Sequence, residues 1–115
     1  MIYSRGDVVL TRWPDPNMAT GKVRPALIVQ ADGLGTGLSQ VVVAGITSNM
    51  ARAGPPCRVS IPLRSPVSRG TGLRADSIVM ADNLLTIHLR EIDRRIGTLA
   101  DMSTVDAALR ITLGL

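Results

Sequence analysis

The sequence predicts a mainly β protein, a small and strongly curved β-barrel or half-barrel with one α-helix at its C-terminal end. Two patterns carry that expectation: short β-branched apolar runs parted by glycine- and proline-rich breaks, and a final segment with helical periodicity. Size is the third observation. At 115 residues the chain is expected to form a single domain, residues 1–115, long enough to bury roughly two thirds of its unfolded surface in one core.

In chain order, Asp7 to Arg12 has Val8, Val9 and Leu10 as a strand core. Pro14, Asp15, Pro16, Asn17 and Gly21 then mark a long loop rather than a tight hairpin. Ala26 to Ala31 and Val41 to Thr47 are β-branched runs that read as central strands, parted by the glycines of DGLGTG. In CRVSIPL the alternation places Val59, Ile61 and Leu63 inward and Arg58, Ser60 and Arg64 outward, and Pro62 assigns this strand to an edge. Ser77 to Ala81 and Leu84 to Leu89 predict two further strands, and Arg90 to Arg95 one short helical turn. The end, MSTVDAALRITLGL, predicts a helix with Ser103 as N-cap, Asp106 completing a capping box and Gly114 as the stop. Val105, Ala108, Leu109 and Thr112 share one of its faces, with Leu113 near the edge.

Composition bounds the chemistry. The 45% hydrophobic and 19% charged content is that of a soluble globular protein, and no apolar run approaches the roughly 18–20 residues of a membrane span. The start, MIYSRGDVVL, interrupts any signal-peptide core with an arginine and an aspartate, so a cytoplasmic location is expected. One cysteine, Cys57, and one histidine, His88, allow neither an internal disulfide nor a Cys or His metal cage, and no metal or other cofactor is expected. Within TIHL, His88 reads as structural, and Cys57 as a small packing residue.

The net charge is +4, and Lys22 is the sole lysine. No acidic residue lies between Asp32 and Asp76, yet that span carries Arg52, Arg58, Arg64, Arg69 and Arg74. A one-signed segment suits a phosphate backbone, the alternative being a merely solvated arginine-rich surface. With no Phe, one Tyr and one Trp, an aromatic platform for successive bases is hard to build, so a nucleic acid would be held by polar and charged groups. One arginine stands apart. In GKVRPALIVQ, Arg24 immediately precedes an apolar run where charge is expensive, which implies either a function or an ion pair with a carboxylate such as Asp7 or Asp76.

RGDVVLTRWP, KVRPALIV, VVVAGITS, TGLRADSIVMADNLLTI and RIGTLADMSTVDAALRITL occur in the order and spacing of one family. The chain resembles, over nearly its whole length, the MazF/PemK toxins of bacterial toxin–antitoxin modules. The ordered set of RGD, K-x-RP, I-T-S, G-L-x-x-D-S and I-G-x-L is far more specific than any piece. The resemblance implies an SH3-like small β-barrel with a C-terminal helix, the architecture shared by CcdB and PemK. It also implies a homodimer and a sequence-specific, metal-independent endoribonuclease that cleaves single-stranded RNA and is neutralised by a cognate antitoxin with an acidic C-terminal segment. The family's essential arginine and threonine fall on Arg24 and Thr47.

That chemistry makes sense of the two residues. RNA carries its own nucleophile, the 2′-hydroxyl, so the enzyme needs to align it, move protons and stabilise charge on the phosphate oxygens. Arg24 offers a permanent charge and a fork of donors, and Thr47 a hydroxyl. Further RNA contacts are expected from Trp13, as a stacking face or a core lid, and from Ser48 and Asn49, which also suit a turn. Arg69, Asp82 and Asn83 complete the candidates. Some plasmid-borne relatives place an arginine and an acid on the strand of Asp82, but the aligned arginine position here is Met80, which leaves Asp82 without that partner. The loop PDPNMATGK also departs from the family, which often has a glycine followed by glutamate there. Two other readings are a non-catalytic CcdB-like toxin that binds DNA gyrase and a basic RNA-binding module without cleavage.

Overall fold

The computed structural model describes residues 2–13 and 22–115, so the long loop expected at 14–21 lies outside the described residues. Six strands, β1 (Asp7–Trp13), β2 (Lys22–Ile28), β3 (Gln40–Thr47), β4 (Arg58–Ile61), β5 (Ser77–His88) and β6 (Ile92–Thr98), precede one helix, α1 (Ser103–Leu113). They form one antiparallel sheet in the order β4-β5-β3-β2-β1-β6. The two end strands of that order, β4 and β6, are not paired with each other, so the sheet is open, the half-barrel form of the expected fold.

Strand alternation gives the sheet an apolar layer on each face. Val8, Leu27, Ala44 and Val79 cluster with Ile61, Leu99 and Val105, and α1 covers this side through buried Val105 and Ala108. Val9, Ala26, Ile28, Val41, Val43 and Ile87 point the other way, with Tyr3, Trp13 and Leu85 packed against them. Period-two patterning is what sends neighbours such as Val8 and Val9 to different layers.

Several boundaries differ from the sequence expectation, each for a physical reason. β2 begins at Lys22, so Arg24 lies within a strand and is exposed there. Pro25 is tolerated because β3 joins β2 only from Ala26 onward, leaving a single neighbour at the proline. The two strands expected across residues 77–89 are one, β5, whose apparent break at Asp82–Asn83 is a bulge. The short helical turn expected over Arg90–Arg95 is instead a 3-10 turn, Leu89–Glu91, followed by β6. β6 hides in sequence because its Asp93, Arg94 and Arg95 are exposed on an edge strand that needs few apolar residues. Gly97 permits its close packing: a Cβ there would come within 2.2 Å of the Gly70 carbonyl oxygen.

Leu63 is exposed rather than inward, because β4 ends at Ile61 before Pro62. The edge position of β4 is as expected. Ser103 does not cap α1; the N-cap is Met102, and the Asp101 carboxylate accepts the Ser103 N–H at 3.0 Å. Asp106 is drawn to Arg5 at 2.6 Å, so no capping box forms. Gly114 closes the helix as expected, in the left-handed conformation at φ 71°. No helix among the described residues is long and apolar enough to cross a membrane.

Candidate functional site

Arg24 and Thr47 lie on neighbouring strands, β2 and β3. Thr11 faces Arg24 across β1 and β2, and Ala26 faces Gly45 across β2 and β3. That pairing ends at Ala26 and Gly45; the same register continued by two residues would set Thr47 opposite Arg24, on the side of the sheet of Ala26 and Gly45. Among the described residues no carboxylate pairs with Arg24. The two acids considered for it are engaged elsewhere. Buried Asp7 accepts from the Ser4 N–H at 2.9 Å and the Thr98 hydroxyl at 3.2 Å, with Arg95 at 3.8 Å. Asp76 accepts the Leu63 N–H at 2.8 Å.

Thr47 is half-buried, and its Oγ1 accepts the Asn49 N–H at 3.1 Å. With that lone pair used, the hydroxyl proton is left to donate outward. Asn49 Oδ1 accepts the Ala51 N–H at 3.1 Å and caps the 3-10 turn Met50–Arg52. The turn reading of Ser48–Asn49 therefore holds, and the Asn49 amide N–H groups are the donors it can offer.

Trp13 and Asn83 reach the same end of the sheet. Ala44 faces Leu84 but Gly45 faces Met80, so Ala81, Asp82 and Asn83 form the bulge in β5. A Cβ on Gly45 would meet Asn83 Nδ2, Met80 Cε and Trp13 Cη2, each at 3.3 Å. Those three side chains converge over the glycine, two residues before Thr47. The indole both packs on the core layer around Val9 and lines an open pocket.

Asp82 and Arg69 are set apart from this group. Asp82 does have an arginine partner: Arg58, which faces Met80 from β4, donates from Nε to Oδ1 at 3.1 Å and from its terminal nitrogen to Oδ2 at 2.8 Å. The other terminal nitrogen donates to the Arg52 carbonyl at 2.9 Å. The hydrogen bond from Arg58 holds the Asp82 carboxyl below the usual carboxylate range. Arg69 follows the 3-10 turn Pro66–Ser68, and the next residue, Gly70, accepts the Thr98 N–H. Because Thr98 faces Asp7, Arg69 sits at the end of β1 opposite Trp13.

His88 is exposed, and its Nδ1 accepts the Arg90 N–H at 3.2 Å to cap the 3-10 turn, in keeping with a structural role. Sequence reasoning missed Glu91, which lines the Trp13 pocket. A signal was present in HLREIDRR: reading IDRRIGT as a strand would have placed Glu91 at a turn beside β1.

A family model described as the PemK-like, MazF-like toxin of type II toxin–antitoxin systems matches residues 4–113. Endoribonuclease EndoA of Bacillus subtilis is 34% identical over 119 residues, an alignment that covers 100% of this chain and 97% of that protein. Among solved structures, the Mycobacterium tuberculosis toxin MazF-mt6 superposes with a TM-score of 0.74 at 24% identity, over 95% of this chain and 97% of that one. A mycobacterial endoribonuclease in complex with its cognate antitoxin superposes at 0.73 and 25% identity, over 98% and 96%. The chain thus belongs to the PemK-like, MazF-like toxin family of type II toxin–antitoxin systems.

Proposed function

We propose that this chain is a sequence-specific endoribonuclease that cleaves single-stranded RNA without a metal ion, with Arg24 and Thr47 as its catalytic pair. One observation carries the reading: an exposed strand arginine, with no carboxylate partner among the described residues, and a threonine whose hydroxyl is left to donate each lie two residues beyond the last pair, Ala26 with Gly45, of the strands that carry them. Similarity to the Bacillus subtilis endoribonuclease supports the reaction class. The substrate 2′-oxygen forms a bond to phosphorus, the P–O5′ bond breaks, one proton leaves the 2′-hydroxyl and one is delivered to the departing 5′-oxygen. The products carry a 2′,3′-cyclic phosphate and a 5′-hydroxyl. Arg24 stabilises negative charge growing on the non-bridging oxygens, and Thr47 donates to the same phosphate. Trp13, Ser48, Asn49 and Asn83 border the path of the strand, while Asp82 acts through the fold.

An antitoxin with an acidic C-terminal segment covers the arginine-rich surface and displaces RNA, a reading supported by the antitoxin complex of the mycobacterial relative. Exposed Ile111, Leu113 and Leu115 at the end of α1 favour a homodimer that shields them. The protein acts in the cytoplasm, where its RNA substrate is.

The test is cleavage of a long single-stranded RNA in EDTA by the wild type, Arg24→Ala and Thr47→Ala, with the termini mapped. Discrete cuts ending in cyclic phosphate, lost in folded Arg24→Ala and weakened in folded Thr47→Ala, support the proposal. Uncut RNA together with gyrase binding would replace it by the CcdB-like reading.

A further inference from the structure

The 3-10 turn Leu89–Glu91 leads from β5 into β6, beside β1. Between this turn and Trp13 lies an open pocket of about 380 Å³. Trp13, Leu85 and Ile87 supply apolar surface, and Arg12, His88 and Glu91 supply polar groups. The turn is held in place: buried Thr11, the neighbour of Arg24 across β1 and β2, donates its hydroxyl to the Glu91 carbonyl at 3.0 Å. The Glu91 carboxylate is 39% exposed, and its one ion-pair partner among the described residues is the far more exposed Arg90, at 3.9 Å. So loose a contact leaves the carboxylate oxygens available to a ligand. His88 Nδ1 accepts the Arg90 N–H, which in the neutral ring puts the proton on Nε2 as a donor.

Trp13 joins this pocket to the catalytic pair. One end of its indole lies over Gly45 beside Asn83, two residues from Thr47, and the same side chain lines the pocket. A single-stranded RNA whose phosphate sits at Arg24 would pass the indole, and a flat aromatic wall with polar groups near it is how unstacked bases are held.

We propose that this pocket takes one nucleobase of the RNA, that the base is guanine, and that Glu91 is the residue that reads it. The inference rests on the RNA-cleavage reading for what brings a base there. The choice of base follows from the donors and acceptors. A carboxylate only accepts, and guanine alone presents two adjacent donors, N1–H and the N2 amino group, on its Watson–Crick edge. Adenine and cytosine set an unprotonated ring nitrogen beside their amino group, which would face the carboxylate lone pairs. Uracil has one N–H between two carbonyls. Arg12 and His88 add donors suited to the guanine O6 and N7 acceptors.

Trp13 is the only tryptophan of the chain, so its fluorescence reports on the pocket directly. The experiment titrates the wild type and Glu91→Gln with GMP, IMP, AMP, CMP and UMP, and maps cleavage of a random-sequence RNA by both. GMP is expected to quench with about tenfold or greater preference over AMP, CMP and UMP. IMP, which lacks the N2 amino group, binds more weakly than GMP, and Glu91→Gln removes the preference. Cleavage sites should show a guanosine requirement at one position that relaxes in Glu91→Gln. Equal quenching by all five nucleotides, or a guanine preference that survives Glu91→Gln, overturns the proposal. A guanine preference in a protein that cuts no RNA upholds the pocket and removes the ribonuclease reading instead. Cleavage without base preference at any position does the reverse.

Discussion

Arg58 on β4 gives its donors to the protein, two nitrogens to Asp82 and a third to the Arg52 carbonyl. Arg24, on β2 of the same sheet, is exposed and meets no carboxylate among the described residues. In sequence the two are the same kind of residue on the same kind of strand. What separates them is the neighbouring strand: β5 brings Asp82 to Arg58 through its bulge, whereas the β3 end beyond the last pair with β2 carries Thr47, which has a hydroxyl to offer and no charge. A guanidinium already forked onto a carboxylate must break that pair to hold a phosphate, while an uncommitted one keeps its full fork for the ligand.

The largest effect should come from Arg24→Ala, which is expected to lower kcat by about a hundredfold or more while leaving the melting temperature unchanged. Arg24→Lys should restore only part of the loss, because a point charge does not reproduce the fork. A drop of the Arg24→Ala melting temperature on the scale of a core mutation would break the comparison by showing that Arg24 too is structural. Thr47→Val keeps the shape and removes the donor, and a loss of roughly three- to tenfold in kcat is expected. An unchanged rate would remove Thr47 from the site.

Arg58→Met should show the converse behaviour, with cleavage retained and a small loss of melting temperature. A cleavage defect as deep as that of Arg24→Ala would move the active site to β4 and β5. The smallest effect concerns pH. The carboxyl of Asp82 is held low in the fold, so its pairing contributes stability above the unfolded carboxylate range and loses it as pH falls through the lowered folded value. The melting-temperature gap between the wild type and Asp82→Asn should therefore be constant from neutrality down to about pH 5 and shrink below about pH 4. A gap that widens on acidification would mean that Asp82 is not the held partner of Arg58.

Much of this was legible in the residues. β1, β3 and β4 follow from alternation and β-branched runs, and α1 from its period and its closing glycine. Arg24 and Thr47 stood out through a family pattern and a charge placed against an apolar run. The rest depended on partners far apart in the chain. β6 carries its charges outward on an edge, so its own composition argues against a strand, and only pairing with β1 reveals it. Asp82 lacked a partner in its own strand and found one in β4, and Arg69 shares the charge of Arg24 but sits at the other end of β1.

Local preference and hydrophobic period are properties of short stretches, and for that reason the sequence by itself determined the mainly β class, the terminal helix and the residue types available for phosphate chemistry. Register is a property of two strands at once. The tertiary structure alone decided that Ala26 pairs with Gly45, each two residues from Arg24 and Thr47, that a bulge carries Asn83 over Gly45, that Arg58 takes Asp82, and that Glu91 comes round to Trp13. A shift of one residue in any of these pairings would turn each of those side chains to the opposite face.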